Sequence, residues 1–343
     1  MKDNIVKGPL TASFEITNKC MLRCLHCYNR SGNDLSRNEL SDVEILDITN
    51  QLADIGLFSF CFCGGEPLTR FDLIIKMCSI LKDNCNNLNM VTNGYLMDEQ
   101  KAIKLKEAGL DLIQISIDGS NAKTHNHMRA VDGAFEKAIN AINILNKIGM
   151  QVNIAFSPTN FNIEEFPELV KLLSKYENID TLRVQPLMIL GRGSENEILP
   201  TEQQYRNLVS FIENYQNDMH KLKIDWGDPV DHIIRFSDSD FVQATFTEIK
   251  SDGSLFVSSY LPVSVGNLRR HKFMDYWQQG LYKSWEIPVV REIAQSYTSI
   301  STLGQPIKNM PKIFFDKNIE FDLINDNVFE NLNKFTMDSL SRR

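Results

Sequence analysis

The sequence predicts an α/β fold: a partial (β/α)6, TIM-like barrel over residues 1–190, followed by a small α+β extension over residues 191–343. Three observations predict it. Short apolar strand-like runs alternate six times with segments of helical periodicity, and glycines close several of the helical segments. The residues with chemically useful side chains gather just after the strand-like runs, where the loops of a parallel barrel converge on one mouth. A length of 343 residues agrees with about two domains and a core that needs no disulfide staples.

Thr11 to Thr17 reads as the first strand. Ser41 with Glu44 three residues on makes a capping box ahead of Ile45, Ile48, Leu52 and Ile55 at helical spacing, and Gly56 ends that helix. Leu57 to Cys63 is the second strand, Asn87 to Thr92 the third, and a helix from Asp98 to Gly109 leads to the fourth, Asp111 to Ile117. Phe135, Ile139, Ile142, Leu145 and Ile148 form one helical stripe before Gly149. The strand Gln151 to Ser157, a helix around Glu164 to Tyr176 and the strand Thr181 to Pro186 complete six βα units. Their largely apolar strands suit burial on both faces. Beyond Gly191-Arg192-Gly193 the pattern changes: a helix near Thr201 to Asn217, a hairpin turning at Asp252-Gly253, and a helix starting at Phe273 to Trp277.

Charge and composition limit the function classes. Lys and Arg number 36 against 44 Asp and Glu, a net −8, which gives no general attraction to nucleic acid or anionic membrane. No apolar run approaches a membrane span, and Met1 to Leu10 is mixed and partly charged, with no signal segment. The expectation is a cytoplasmic protein with neither nucleic acid nor membrane as partner.

The chemistry starts at Cys20, Cys24 and Cys27, a C-x3-C-x2-C cluster. Three thiolates on one loop are one ligand short of a closed site, which leaves one iron of a 4Fe-4S cluster open to a small chelating molecule. A zinc site completed by His26 is the alternative that residue type leaves open. Gly64 and Gly65 let backbone approach a ligand closely, and Glu66 supplies a carboxylate that accepts from an ammonium group. Asn93-Gly94 ends strand three, and Ser116 and Asp118-Gly119 end strand four. In strand two, Phe58, Phe60 and Phe62 alternate with Ser59, Cys61 and Cys63, so the thiols face the lumen if the phenylalanines pack under the helices. Cys63, at the rim, is then a candidate hydrogen-atom donor, with a small buried core residue as the alternative. His125 and His127 read as surface polar residues.

The cysteine loop with Tyr28, the G-G-E-P run at 64–67 and the I-S-I-D-G segment from Ile115 together resemble the radical S-adenosylmethionine (radical SAM) enzymes. The resemblance implies one 4Fe-4S cluster on Cys20, Cys24 and Cys27, with SAM on the open iron. It implies Gly64, Gly65 and Glu66 at the SAM amino group, and Asn93, Ser116 and Asp118 around the ribose and methionyl end. Arg129 falls where related enzymes often bind the SAM carboxylate, a solvated surface arginine being the equal alternative. His26 stands where an aromatic residue commonly lies against adenine, and Met21 replaces a frequent asparagine.

From residue 245 on, the hairpin, the G-N-L turn and the aromatic-bearing helix resemble the SPASM or twitch extension of peptide-modifying radical SAM enzymes. Those extensions carry cysteines for auxiliary clusters, whereas Ser258, Ser259 and Tyr260 follow this hairpin and the last cysteine of the chain is Cys85. The implied extension keeps its shape without the metal, and Tyr260 is a candidate substrate contact. The implied reaction is cleavage of SAM to a 5′-deoxyadenosyl radical that takes hydrogen from a ribosomally made peptide. A flavodoxin- or ferredoxin-type protein supplies the electron. A small metabolite (sugar, nucleoside or amino acid) is the runner-up substrate, and a non-catalytic iron-sulfur or zinc regulator the reading from another class. The expectation is that no separate leader-binding domain precedes the barrel, whose first strand starts within about a dozen residues of Met1.

Overall fold

In the computed structural model the described residues are 6–32, 38–217, 220–227, 229–237, 244–297 and 318–340. The six predicted units form β1 (Thr11–Glu15), α1 (Asp42–Ile55), β2 (Ser59–Cys63), α2 (Phe71–Leu81), β3 (Leu88–Thr92), α3 (Glu99–Glu107) and β4 (Leu112–Ser116). They continue through α4 (Ala122–Arg129), α5 (Ala134–Lys147), β5 (Gln151–Phe156), α6 (Phe166–Leu173) and β6 (Ile179–Val184). The predicted cap is in place at α1, where the Ser41 hydroxyl accepts from Glu44 N–H and the Glu44 carboxylate accepts from Ser41 N–H.

The parallel sheet runs further than six strands. After α7 (Glu202–Gln216), β7 (Lys223–Trp226) pairs parallel with β6. At the other side β8 (Phe246–Ile249), reached through α8 (Pro229–Ser237), pairs parallel with β1. The hairpin at Asp252-Gly253 is present: β9 (Ser254–Phe256) runs antiparallel to β8, and β10 (Val263–Asn267) antiparallel to β9. With β11 (Ile319–Glu320) beside β10, the described residues form one eleven-stranded sheet with the order β11-β10-β9-β8-β1-β2-β3-β4-β5-β6-β7. The extension therefore adds its hairpin to the edge of the barrel's first strand, within reach of the mouth.

The expectation of strands apolar on both faces is corrected. Phe14, Phe60, Phe62, Met90, Ile113, Ile115, Val152, Ile154, Leu182 and Val184 are fully buried, and they share the core with α1, α2, α5 and α6. The alternating positions carry Ser13, Cys61, Asn89, Gln114, Asn153 and Arg183, none of them fully buried. One face is thus a helix-covered core and the other a polar lumen. Phe58 departs from its two strand neighbours: it is 60 % exposed, because β2 begins after it at Ser59.

In the extension, α9 (Phe273–Gln278) and α10 (Pro288–Ser296) bury Phe273, Tyr276, Trp277, Val289 and Ile293, while Trp277 Nε1 donates to the Val6 carbonyl (2.9 Å). His232 of α8 sits among the rings of Phe236, Phe246, Tyr260 and Trp285 at 4.8–6.0 Å between centroids. This aromatic packing fills the ground beside the Ser258–Tyr260 turn, with the Ser258 hydroxyl 3.5 Å from His232 Nε2. Among the described residues no helix is long and apolar enough to cross a membrane.

Candidate active site

The loop carrying Cys20, Cys24 and Cys27 leaves the end of β1 and is held from two sides. Ile16 N–H donates to the Cys63 carbonyl (3.0 Å), Gly65 N–H to the Thr17 carbonyl (2.8 Å) and Glu66 N–H to the Lys19 carbonyl (2.8 Å), so the G-G-E turn after β2 is stitched to the start of the loop. Gly64 has φ +135°, and a Cβ there would lie 2.3 Å from the Thr17 carbonyl oxygen; at Gly65 it would lie 2.4 Å from that of Lys19. The close approach these glycines permit is to the protein's own cysteine loop. From the far side Arg192 braces the same loop, its Nε donating to the Cys24 carbonyl (2.8 Å) and Nη1 to the Ser31 carbonyl (3.0 Å). Gly191, at φ +54°, lets this brace seat against the Tyr28 carbonyl. Sequence reasoning used Gly191-Arg192-Gly193 only as a boundary.

Each of the three cysteine sulfurs accepts a donor: Leu22 N–H to Cys20 (3.4 Å), Ser31 N–H to Cys27 (3.4 Å) and Arg129 Nη1 to Cys24 (3.6 Å). Asn93 Nδ2 adds a longer contact to Cys20 at 3.7 Å. Burial pushes the Cys20 thiol up to about 11, with the neighbouring thiols adding to the shift. Three sulfurs on one loop, each accepting from an N–H donor, suit ligands that become thiolates on a cationic iron cluster, whereas among the described residues no three His, Cys, Asp or Glu side chains are gathered tightly enough to hold a single metal ion. The chain's residues fit that group. His26, within the same loop, has Nε2 3.8 Å from the Asp118 carboxylate.

Glu66 is fully buried, its carboxylate accepting from Leu68 N–H (3.1 Å), the Thr92 hydroxyl (2.7 Å) and Asn93 N–H (2.9 Å). Burial pushes this carboxyl up against the pull of those donors. It ties β2 to β3 and leaves lone-pair capacity on Oε2.

A cavity of about 310 Å³ opens at the mouth, lined on one side by His26, Ser116, Asp118 and Arg129 and on the other by Tyr28, Ser259 and Tyr260. Arg129 is 6 % exposed, with Nη2 2.5 Å from Asp118 Oδ2, so it is a buried residue of the cavity wall and not a solvated surface arginine. Asp118 Oδ1 accepts from Ser157 N–H (3.0 Å). Burial pushes the Asp118 carboxyl up, but the guanidinium, with His26, His125 and the Ser157 N–H, holds it net below its ordinary value. Arg129 Nε and His26 Nδ1 are buried without a hydrogen-bond partner, and both residues line the cavity. Burial lowers His26 to about 4, so its ring is neutral.

The surface reading of His125 is corrected. It is buried, and its Nδ1 accepts from Asp118 N–H (3.0 Å), which orients the aspartate from behind. His127 is exposed as expected, against the Phe161 ring. Cys63 faces the lumen with its sulfur 3.1 Å from the Ser13 hydroxyl, outside the set of residues lining the cavity. The adjacent Cys61 thiol and burial hold it well above the ordinary thiol range, so it keeps its S–H.

One feature escaped sequence reasoning altogether. Lys250, just after β8, is buried with Nζ 2.7 Å from Glu15 Oε1 and paired also with Glu248. Glu15 accepts in addition from the Tyr28 hydroxyl (3.3 Å) and Asn29 Nδ2 (2.9 Å), and Glu248 from the Ser259 hydroxyl. A triad of charges therefore links the residues after Cys27 to the hairpin of the extension. Charged residues in an otherwise ordinary strand pattern, F-E-I and T-E-I-K, were the available signal.

Residues 14–173 match the family described as the Radical SAM superfamily. The AdoMet-dependent heme synthase of Methanosarcina barkeri is 27 % identical over 293 residues, covering 80 % of this chain and 83 % of that protein. The mycofactocin maturase MftC of Mycolicibacterium smegmatis is 30 % identical over 208 residues, 60 % of this chain and 52 % of that protein. Among solved structures, Streptococcus suis SuiB bound to S-adenosylmethionine shares the fold with a TM-score of 0.67 at 20 % identity, over 87 % of this chain and 70 % of that one.

Proposed function

We propose that this chain, a radical SAM superfamily enzyme by its domain at residues 14–173 with a 4Fe-4S cluster and SAM as cofactors, modifies a ribosomally made peptide. The observation that supports the peptide is the placement of Ser259 and Tyr260, from the extension's hairpin turn, in the wall of the cavity that also holds Ser116, Asp118 and Arg129. A cavity of about 310 Å³ is at the small end for a ligand site, ~300–1,000 Å³. The mycofactocin maturase is a relative whose name points the same way. A small metabolite is the second reading, favoured by the match over 80 % of the chain to a heme synthase.

In this reading Cys20, Cys24 and Cys27 hold the cluster. When bound, it supplies the electron that cleaves SAM to methionine and a 5′-deoxyadenosyl radical, which takes hydrogen from the substrate. The chain's own residues position the reactants. Glu66 would receive the SAM ammonium on its remaining lone pair, with Gly64, Gly65 and Asn93 as the adjoining backbone and amide. Arg129, paired with Asp118, would offer its unpartnered Nε to the SAM carboxylate, and Ser116 would serve the ribose. His26 would serve the adenine, and Tyr28 lines the cavity with Ser259 and Tyr260. Cys63 retains a hydrogen atom within the lumen. A flavodoxin- or ferredoxin-type protein delivers the electron, and the enzyme works in the cytoplasm.

The test is anaerobic incubation of the reconstituted enzyme with SAM, reductant and candidate peptides, followed by mass spectrometry. A peptide mass change accompanied by 5′-deoxyadenosine is the expected result. 5′-Deoxyadenosine with modification of small metabolites alone would remove the peptide. In Tyr260→Ala, 5′-deoxyadenosine should persist while product falls; parallel loss of both would assign the residue to the fold or the SAM site. Glu66→Gln should retain the cluster and weaken SAM binding about 10-fold or more, since a hydrogen bond to a charged group is worth roughly 1.5–3 kcal/mol. Calorimetric titration with SAM checks it, and unchanged affinity would take Glu66 out of the site.

A further inference from the structure

The cavity wall opposite the charged triad is built by β6. Arg183 and Gln185, two apart, both face the lumen and line the cavity. Gln185 Nε2 is buried with no hydrogen-bond partner. Arg183 Nε is 4.0 Å from the Asp225 carboxylate, the outer limit of an ion pair, and its side chain is 45 % exposed. Gly227 leaves these two side chains their room, since a Cβ there would lie 2.9 Å from Gln185 Oε1 and 3.1 Å from Arg183 Nε. Across the sheet, Ser116 pairs in register with Ala155, and Ala155 with Arg183. The small Ala155 leaves an open trough between them, about two strand spacings, roughly 10 Å, wide.

The far wall carries the opposite sign. Glu15, Glu248 and Lys250 sum to one negative charge behind Tyr28 and Ser259. An anion entering the lumen is turned away from that side and toward β6, where a guanidinium fork and an amide N–H₂ stand together.

We propose that Arg183 and Gln185 hold a carboxylate of the substrate, an acidic side chain or the C-terminus of a peptide or the carboxylate of a small metabolite, and so fix which carbon faces Ser116. The proposal rests on the reading of this cavity as the place where substrate meets SAM. A planar anion with two acceptor oxygens matches the two donors. Anchored there, it keeps the reacting carbon within the trough between β4 and β6.

The test uses the full-length, cluster-loaded enzyme with SAM. Binding is measured for N-acetylglutamate and for a short glutamate-containing peptide, each against its glutamine counterpart, and for the peptide with free and amidated C-terminus. The expected result is that at least one acid binds 10-fold or more tighter than its amide. That preference should collapse in Arg183→Gln, survive in part in Arg183→Lys and shrink in Gln185→Leu, with SAM affinity unchanged in all three. Preference in the metabolite-sized probe alone assigns the carboxylate to a small substrate; preference in the peptide alone assigns it to a peptide. Equal binding of acids and amides, no binding of any acid, or an acid preference that persists in Arg183→Gln overturns the proposal. So does loss of SAM affinity in the Arg183 variants. Failure of the underlying reading is separable, because it would show as no SAM binding by the unmodified enzyme.

Discussion

Arg129→Met should destabilise the protein by about 3–5 kcal/mol, the cost of breaking a buried ion pair from one side. The substitution keeps most of the side-chain volume but leaves the Asp118 carboxylate at 1 % exposure without its cation. The penalty is large against a total stability of roughly 5–15 kcal/mol. Adding Asp118→Asn should restore much of it, because the amide oxygen can still accept from Ser157 N–H while no charge is left unpaired. The sign with pH follows from the lowered Asp118 value. A carboxyl depressed in the folded state contributes stability above its unfolded value, near 3.8, and loses it only as pH falls through the folded value. The intact pair is therefore indifferent between pH 6 and 8. In Arg129→Met the orphaned carboxyl is free to take a proton, so the penalty should shrink on acidification toward pH 5. Urea unfolding of the three proteins at pH 8, 6 and 5 measures all of this. A single-variant cost below about 1 kcal/mol, or no rescue by Asp118→Asn, would show that the pair does not hold the mouth.

The parts of the fold most legible in the sequence were those set by local rules. The six strands, the Ser41–Glu44 cap and the Asp252-Gly253 hairpin depend on period, capping and turn chemistry within a few residues. The cysteine loop and the G-G-E turn were found as motifs. Their mutual stitching, Gly65 N–H to Thr17 and Glu66 N–H to Lys19, spans about fifty residues and only folding reveals it. Arg129 and His125 share one helix, α4, and no local signal separates a buried pair facing Asp118 from two solvated polar residues. The polar lumen was missed for a different reason. Reading the strands as apolar on both faces averaged over Asn89, Gln114, Asn153 and Arg183, which fall at every second position and record that the barrel interior is wet. The pairing of β8 with β1 joins residues more than two hundred apart, and with it came Lys250.

Lys250→Met is the second large expected effect, again about 3–5 kcal/mol, since it leaves two buried carboxylates, Glu15 and Glu248, with no cation between them. Burial alone would lower the lysine, yet the two carboxylates hold it above its ordinary value of 10.5. A cation raised in this way contributes stability that is complete below its unfolded value and is lost only as pH rises through the folded one. Its contribution is flat across pH 6–8. The consequence reaches the mouth because Glu15 also holds Tyr28 and Asn29, and Glu248 holds Ser259. Two like charges on the paired strands β1 and β8, Glu248 being in register with Ser13 two residues before Glu15, should push the hairpin away from the cysteine loop. Glu248→Gln in the Lys250→Met background removes one of them and should recover much of the loss. Hydrogen exchange of β8 and β9 separates this from a general weakening: the amides of the hairpin should lose protection in Lys250→Met while those of β3 to β5 keep theirs. Uniform loss across the sheet would mean that the triad supports the whole fold and does not clamp the extension to the mouth.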